Sequence, residues 1–138
     1  KLMGLYLAIF DEDDELDGVE VGTYSDFSTF RDAVVRNLER GQAGSRFPTL
    51  ILHSDCDGQW SVKAAAALET ELQTITKEFL NLPPIPLDGW KNEIANTFGL
   101  DPKNLGDSFF DVDGEPLLER LLGLARLAQK RRLPILFQ

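Results

Sequence analysis

The feature that most constrains this chain is one helical stripe. After Ser61, a helix cap, Val62, Ala65, Leu68, Leu72, Ile75 and Phe79 recur at spacings of three and four. A helix that is apolar on one side only folds stably when another layer covers that side. The rest of the chain must supply it. "GLYLAIF" (Gly4–Phe10) is short, apolar and β-rich, and reads as a buried strand; "VEVGTY" (Val19–Tyr24) alternates as a weaker one. "FPTLILH" (Phe47–His53) reads as a third, with Pro48 at its start, and "LPILF" (Leu133–Phe137) closes the chain as a fourth.

Three further helices fit between. Ser25 caps one that carries Phe27, Phe30, Val34 and Leu38 and ends at Gly41. Asp88 opens a shorter one with Trp90, Ile94 and Phe98, closed by Gly99. Pro116 fits the first turn of the last, with Glu115 and Glu119 near its start and Lys130, Arg131 and Arg132 near its end, as the helix dipole favours. "SDCDGQW" (Ser54–Trp60) reads as a turn, and "SFFDVDG" (Ser108–Gly114) as a short strand or ordered turn. The expected class is α+β: a small mixed sheet of about four strands packed with about four helices. A single domain over residues 3–138 is expected, with Lys1 and Leu2 read as cloning residues ahead of a start at Met3. The closing Leu136-Phe137-Gln138 can be read as a protease-site remnant, but the apolar strand reading is favoured.

Charge decides which partners are open. The 138 residues hold 23 acidic and 14 basic side chains, net −9. Nucleic-acid binding draws on the opposite sign, so nucleic acid and anionic membrane surfaces are excluded as partners. No apolar run approaches the roughly 20 residues of a membrane span. Cys56 is the single cysteine, which suits a reducing cytoplasm. A basic protein or a divalent cation fits the charge.

Three motifs suggest chemistry. Asp111-Val112-Asp113-Gly114 resembles the first motif of haloacid dehalogenase phosphatases, but only one helix and one strand follow it, and Glu115 stands where that family has Thr. The plain reading is a turn in which Asp111 or Asp113 accepts backbone N–H groups. If Gly18, Gly58 or Gly114 is placed sixth in an EF-hand loop, position twelve is Tyr24, Ala64 or Arg120, none of which closes a calcium shell. His53 and Cys56 lack an oxyanion-type glycine motif and a third partner. No catalytic residue, metal ligand or cofactor is assigned. The alternative to a binding protein is a small metal-binding protein or hydrolase that uses the Asp-rich loops.

What remains is acidity. Asp11, Glu12, Asp13, Asp14, Glu15 and Asp17 form a dense run read as a loop, whose mutual repulsion costs about 1–2 kcal/mol. With the first and third strands parallel, this run and Asp55 and Asp57 would emerge at the same edge of the sheet. Those eight acids, with Trp60 as a surface anchor, are the expected partner-binding residues, while Trp90 is read as core. Arg46 is expected to pair with Asp55, Asp57, Asp111 or Asp113.

The blocks "MGLYLAIF", "ELDGVEVGTYSDF", "GSRFPTLILHSDCDGQWS", "FFDVDGEPLLERL" and "LPILFQ" together resemble the immunity protein 70 family of bacterial polymorphic toxin systems. The likeness spans almost the whole chain from Met3 and is weakest over Thr70–Asp101. It implies a small cytoplasmic α+β protein, not an enzyme, that binds and neutralises a cognate toxin to protect the producing cell. A basic, nuclease-type toxin would match the acidity.

Overall fold

The structure is a computed structural model and describes residues 4–138; the readings of Lys1, Leu2 and Met3 lie outside the described residues. Four strands, Leu5–Asp11 (β1), Asp14–Gly22 (β2), Gln59–Trp60 (β3) and Ile135–Phe137 (β4), form one sheet in the order β2-β1-β4-β3. Against it lie the helices Tyr24–Leu38 (α1), Pro48–Ile51 (α2), Val62–Phe79 (α3), Gly89–Phe98 (α4) and Leu117–Arg131 (α5). The α+β class holds, although every neighbouring strand pair is antiparallel rather than mixed.

The stripe on α3 behaves as its period requires. Ala65, Leu68, Leu72, Ile75 and Phe79 are buried, and α3 packs chiefly on α5 in a core that also takes Leu5, Leu7 and Ile9 of β1. Each fully buried Leu or Ile contributes about 1.5–3 kcal/mol. Ser61 caps the helix as expected, its hydroxyl accepting the Ala64 N–H at 3.0 Å. Cross-strand partners share a face of the sheet. Leu7 and Val19 therefore face the core, while Tyr6 with Glu20 and Phe10 with Glu15 face the other way.

Three local readings are corrected. The acidic run is not a loop: β1 and β2 form a tight hairpin in which Asp11 pairs with Asp14, and only Glu12 and Asp13 turn the chain. The outward side of an edge strand tolerates acids, and charge there also discourages pairing with foreign strands. The first helix is capped by Thr23 rather than Ser25. Its hydroxyl accepts the Asp26 N–H at 3.0 Å while the Asp26 carboxylate accepts the Thr23 N–H at 2.7 Å.

The third correction has a physical cause far away in sequence. Phe47–His53 contains a helical turn, not a strand. The Glu71 carboxylate accepts the N–H groups of Thr49 (3.1 Å) and Leu50 (2.9 Å) at its start. Arg31 donates to the carbonyls of Leu50, Ile51 and His53 (3.2, 3.2 and 2.7 Å) at its end. Both sets of unsatisfied helix-end groups are thus met, which overrides the β propensity of the segment. The third strand moves to Gln59–Trp60, inside the stretch read as a turn.

Candidate partner-binding surface

At the hairpin tip Asp11, Glu12, Asp13, Asp14 and Glu15 are exposed. Asp11 pairs with Arg131 at 3.1 Å, and Asp17, half-buried, with Arg120 at 3.2 Å. Glu12, Asp13 and Asp14 have no cation within ion-pair distance among the described residues. The Tyr6 hydroxyl donates to Glu15 at 2.6 Å. That bond, with burial and the fields of Glu15, Asp17 and Glu20, pushes the phenol up to about 12. The hairpin is a concentrated negative end of the molecule.

Asp55 and Asp57 do not join it. β1 and β3 run in the same direction, but Asp55 and Asp57 precede β3 whereas Asp11 ends β1. Ala8 pairs with Leu136 and Leu136 with Gln59, so Asp57 stands level with Tyr6. The two clusters lie at opposite ends of the sheet, about 16 Å apart along the strands and about 10–14 Å across them by standard strand dimensions. Either distance exceeds the ~8 Å screening length at physiological salt, so they are separate patches. The expectation of one shared edge fails because it took Phe47–His53 for the third strand.

Trp60 cannot anchor a partner. It is 2% exposed, its indole N–H donates to the Thr49 carbonyl at 3.0 Å, and its ring meets Phe137 edge-on at 4.8 Å. His53 stacks on the same Phe137 at 4.2 Å, and its two ring nitrogens meet the carbonyls of Ser54 (2.8 Å) and Gln59 (2.9 Å). No ring nitrogen is left for Cys56, whose sulfur has the Ser54 hydroxyl at 3.7 Å. Among the described residues no hydrogen bond joins the two side chains.

Asp111 takes the plain role. It is 1% exposed, and its Oδ1 accepts the N–H groups of Asp113 and Glu115, each at 2.9 Å. Its Oδ2 faces Arg120 Nε at 3.5 Å. Arg120 thus ties the Asp111 turn to Asp17 on the hairpin. Arg46 does pair with a carboxylate, but with none of the four aspartates expected: its guanidinium donates two bonds to Glu78, at 3.0 and 2.7 Å. Among the described residues no group of three or more His, Cys, Asp or Glu side chains could hold a metal ion.

Sequence reasoning passed over an apolar groove of about 320 Å³ between the end of β2 and α4. Gly22, Trp90, Ile94 and Val112 line it, with Glu20 and Glu93. Trp90, read as core, is half-buried, and its N–H donates to Asp26 at 3.0 Å. At Gly22 the backbone has φ +123°, and a Cβ would stand 2.9 Å from the Trp90 ring. Only glycine lets the indole approach there. The signal available in the sequence was Trp90 itself, in a helix whose one fully buried residue is Ala95.

Residues 5–137 match the family profile described as Immunity protein 70. The chain belongs to that family. It is therefore an immunity protein of a toxin system, and the match covers the four strands and five α-helices of the described residues. No curated protein and no solved structure gives a significant match. Among the described residues no helix of this immunity protein is long and apolar enough to cross a membrane.

Proposed function

We propose that this immunity protein works by stoichiometric binding. It engages a cognate toxin domain in the cytoplasm of the producing cell and blocks it without a catalytic step. The observation that carries the reading is the hairpin tip, where Glu12, Asp13 and Asp14, unpaired among the described residues, project from a chain of net charge −9. Such a surface attracts a basic protein and speeds its association. A toxin that acts on nucleic acid carries the matching charge. Asp11, Glu15 and Asp17 belong to the same patch, while Asp55 and Asp57 add to the field from the far end of the sheet.

The test is co-expression with the toxin domain encoded beside the gene. Wild-type protein is expected to restore growth and to co-purify with that domain at a fixed ratio. Growth arrest with no complex would overturn the reading.

A further inference from the structure

We infer that the groove between β2 and α4 is the apolar anchor site for the toxin, and that it accepts an aliphatic or aromatic side chain flanked by lysine or arginine. The inference rests on the toxin-binding reading and supplies what the acidic hairpin lacks. Rim charges set association rate, while tight complexes depend on a few apolar side chains in desolvated pockets. Trp60 is buried and cannot supply such a contact.

The groove's chemistry selects the occupant. Its nearest N–H donors are already engaged, Trp90 Nε1 with Asp26 at 3.0 Å and the Val112 N–H with the Glu20 carbonyl at 3.1 Å. A ligand that needs N–H donors, such as an anion, would lose water there and find few replacements, whereas an apolar side chain loses little. At about 320 Å³ the groove has room for one or two side chains, being at the lower end of the roughly 300–1,000 Å³ typical of ligand pockets.

Charge then narrows the choice. Glu20 and Glu93 line the groove, and neither has an ion-pair partner among the described residues. The cation closest in sequence, Lys91, is turned inward. Its ammonium donates to the Ser108 carbonyl at 3.1 Å and sits over the rings of Phe109 and Phe110 at 4.8 and 5.3 Å. Among the described residues the groove therefore keeps its negative sign and is matched by a cationic neighbour of the inserted side chain.

The site is also held in shape before anything binds. Asp26 accepts three bonds, from the Thr23 N–H (2.7 Å), the Thr23 hydroxyl (2.8 Å) and Trp90 (3.0 Å), which fixes the indole against the start of α1. A preformed pocket lowers the ordering cost of association.

The experiment titrates the toxin domain encoded beside the gene into isotope-labelled wild type, Ile94→Asp and the double variant Glu20→Lys/Glu93→Lys. Trp90→Phe assigns the two indole N–H signals. Wild type is expected to bind with a shift at Trp90 and little change at Trp60. Ile94→Asp should weaken affinity at least tenfold through faster dissociation. The double charge reversal should slow association about tenfold; both of its sites reach solvent, so it stays informative if Ile94→Asp destabilises α4. Tight wild-type binding with neither variant affected would overturn the groove and leave toxin binding standing. No wild-type binding would overturn both. A wild-type dimer that Ile94→Asp dissolves would assign the groove to a second copy of this chain and overturn the inference.

Discussion

At the hairpin tip Glu12, Asp13 and Asp14 reach solvent with no cation of the described residues within ion-pair distance, whereas in the Asp111–Gly114 turn the leading aspartate is closed off from water and holds two backbone N–H groups and an arginine. The two stretches are written in nearly the same letters. Their difference lies in the donors around them. A carboxylate becomes internal where unpaired N–H groups surround it, because leaving those groups buried without partners costs more than burying the acid with them. Glu39 is the same case, its carboxylate accepting the N–H groups of Gly44, Arg46 and Phe47 at 2.9–3.0 Å. Among the described residues Glu12, Asp13 and Asp14 have no such duty.

The widest test of this division is Asp111→Ala. Two N–H groups and part of a buried ion pair would lose their acceptor, for an expected loss of about 2–4 kcal/mol. Urea unfolding measures it. A loss under about 0.5 kcal/mol would place Asp111 with the surface acids and dissolve the comparison. Next in size comes Glu71→Ala, which uncaps α2 and should cost about 1–2 kcal/mol. Amide exchange at Thr49 and Leu50 should quicken in that variant. Unchanged exchange would mean that α2 stands without its distant cap.

The same division explains which parts of the structure were legible in the sequence. α3, α5, β1 and β4 declare themselves, because burial on one side imprints a period or a short apolar run. The α2 segment does not. Its residues favour a strand, and the side chains that make it helical, Arg31 and Glu71, lie about twenty positions away on other helices. That error moved the third strand, exposed Trp60 on paper, and set two acidic patches at one edge. The hairpin acids were visible as a charge run, but not their pairing, since a run of carboxylates carries no β signal. The groove was hidden because its walls come from β2, α4 and the Asp111 turn, which only the fold brings together.

Tyr6 and Glu15 sharpen the comparison at a smaller scale, since here a hairpin acid is half engaged. The phenol's folded value of about 12 lies above the ordinary 10.0. Its contribution to stability is therefore complete below pH 10 and lost as the pH rises through 12. Ultraviolet titration, with Tyr6→Phe to isolate the signal, should show the late phenolate. Glu15→Gln should bring it back toward 10. An ordinary phenol in the wild type would show that the hairpin's charge is fully screened by solvent.

The smallest expected change in stability accompanies the largest expected change in binding. Glu12, Asp13 and Asp14 together changed to Lys should leave the unfolding free energy within about 0.5 kcal/mol of wild type, as surface substitutions usually do. Asp11 and Asp17 stay, because their arginine pairs tie the hairpin to α5. The decisive measurement is the association rate of this triple variant and of wild type with the proposed cognate toxin domain, at two salt concentrations. The account predicts association at least tenfold slower than wild type at low salt, with a flattened salt dependence. Equal rates and equal salt slopes would contradict it and reduce the acidic hairpin to a solvated edge.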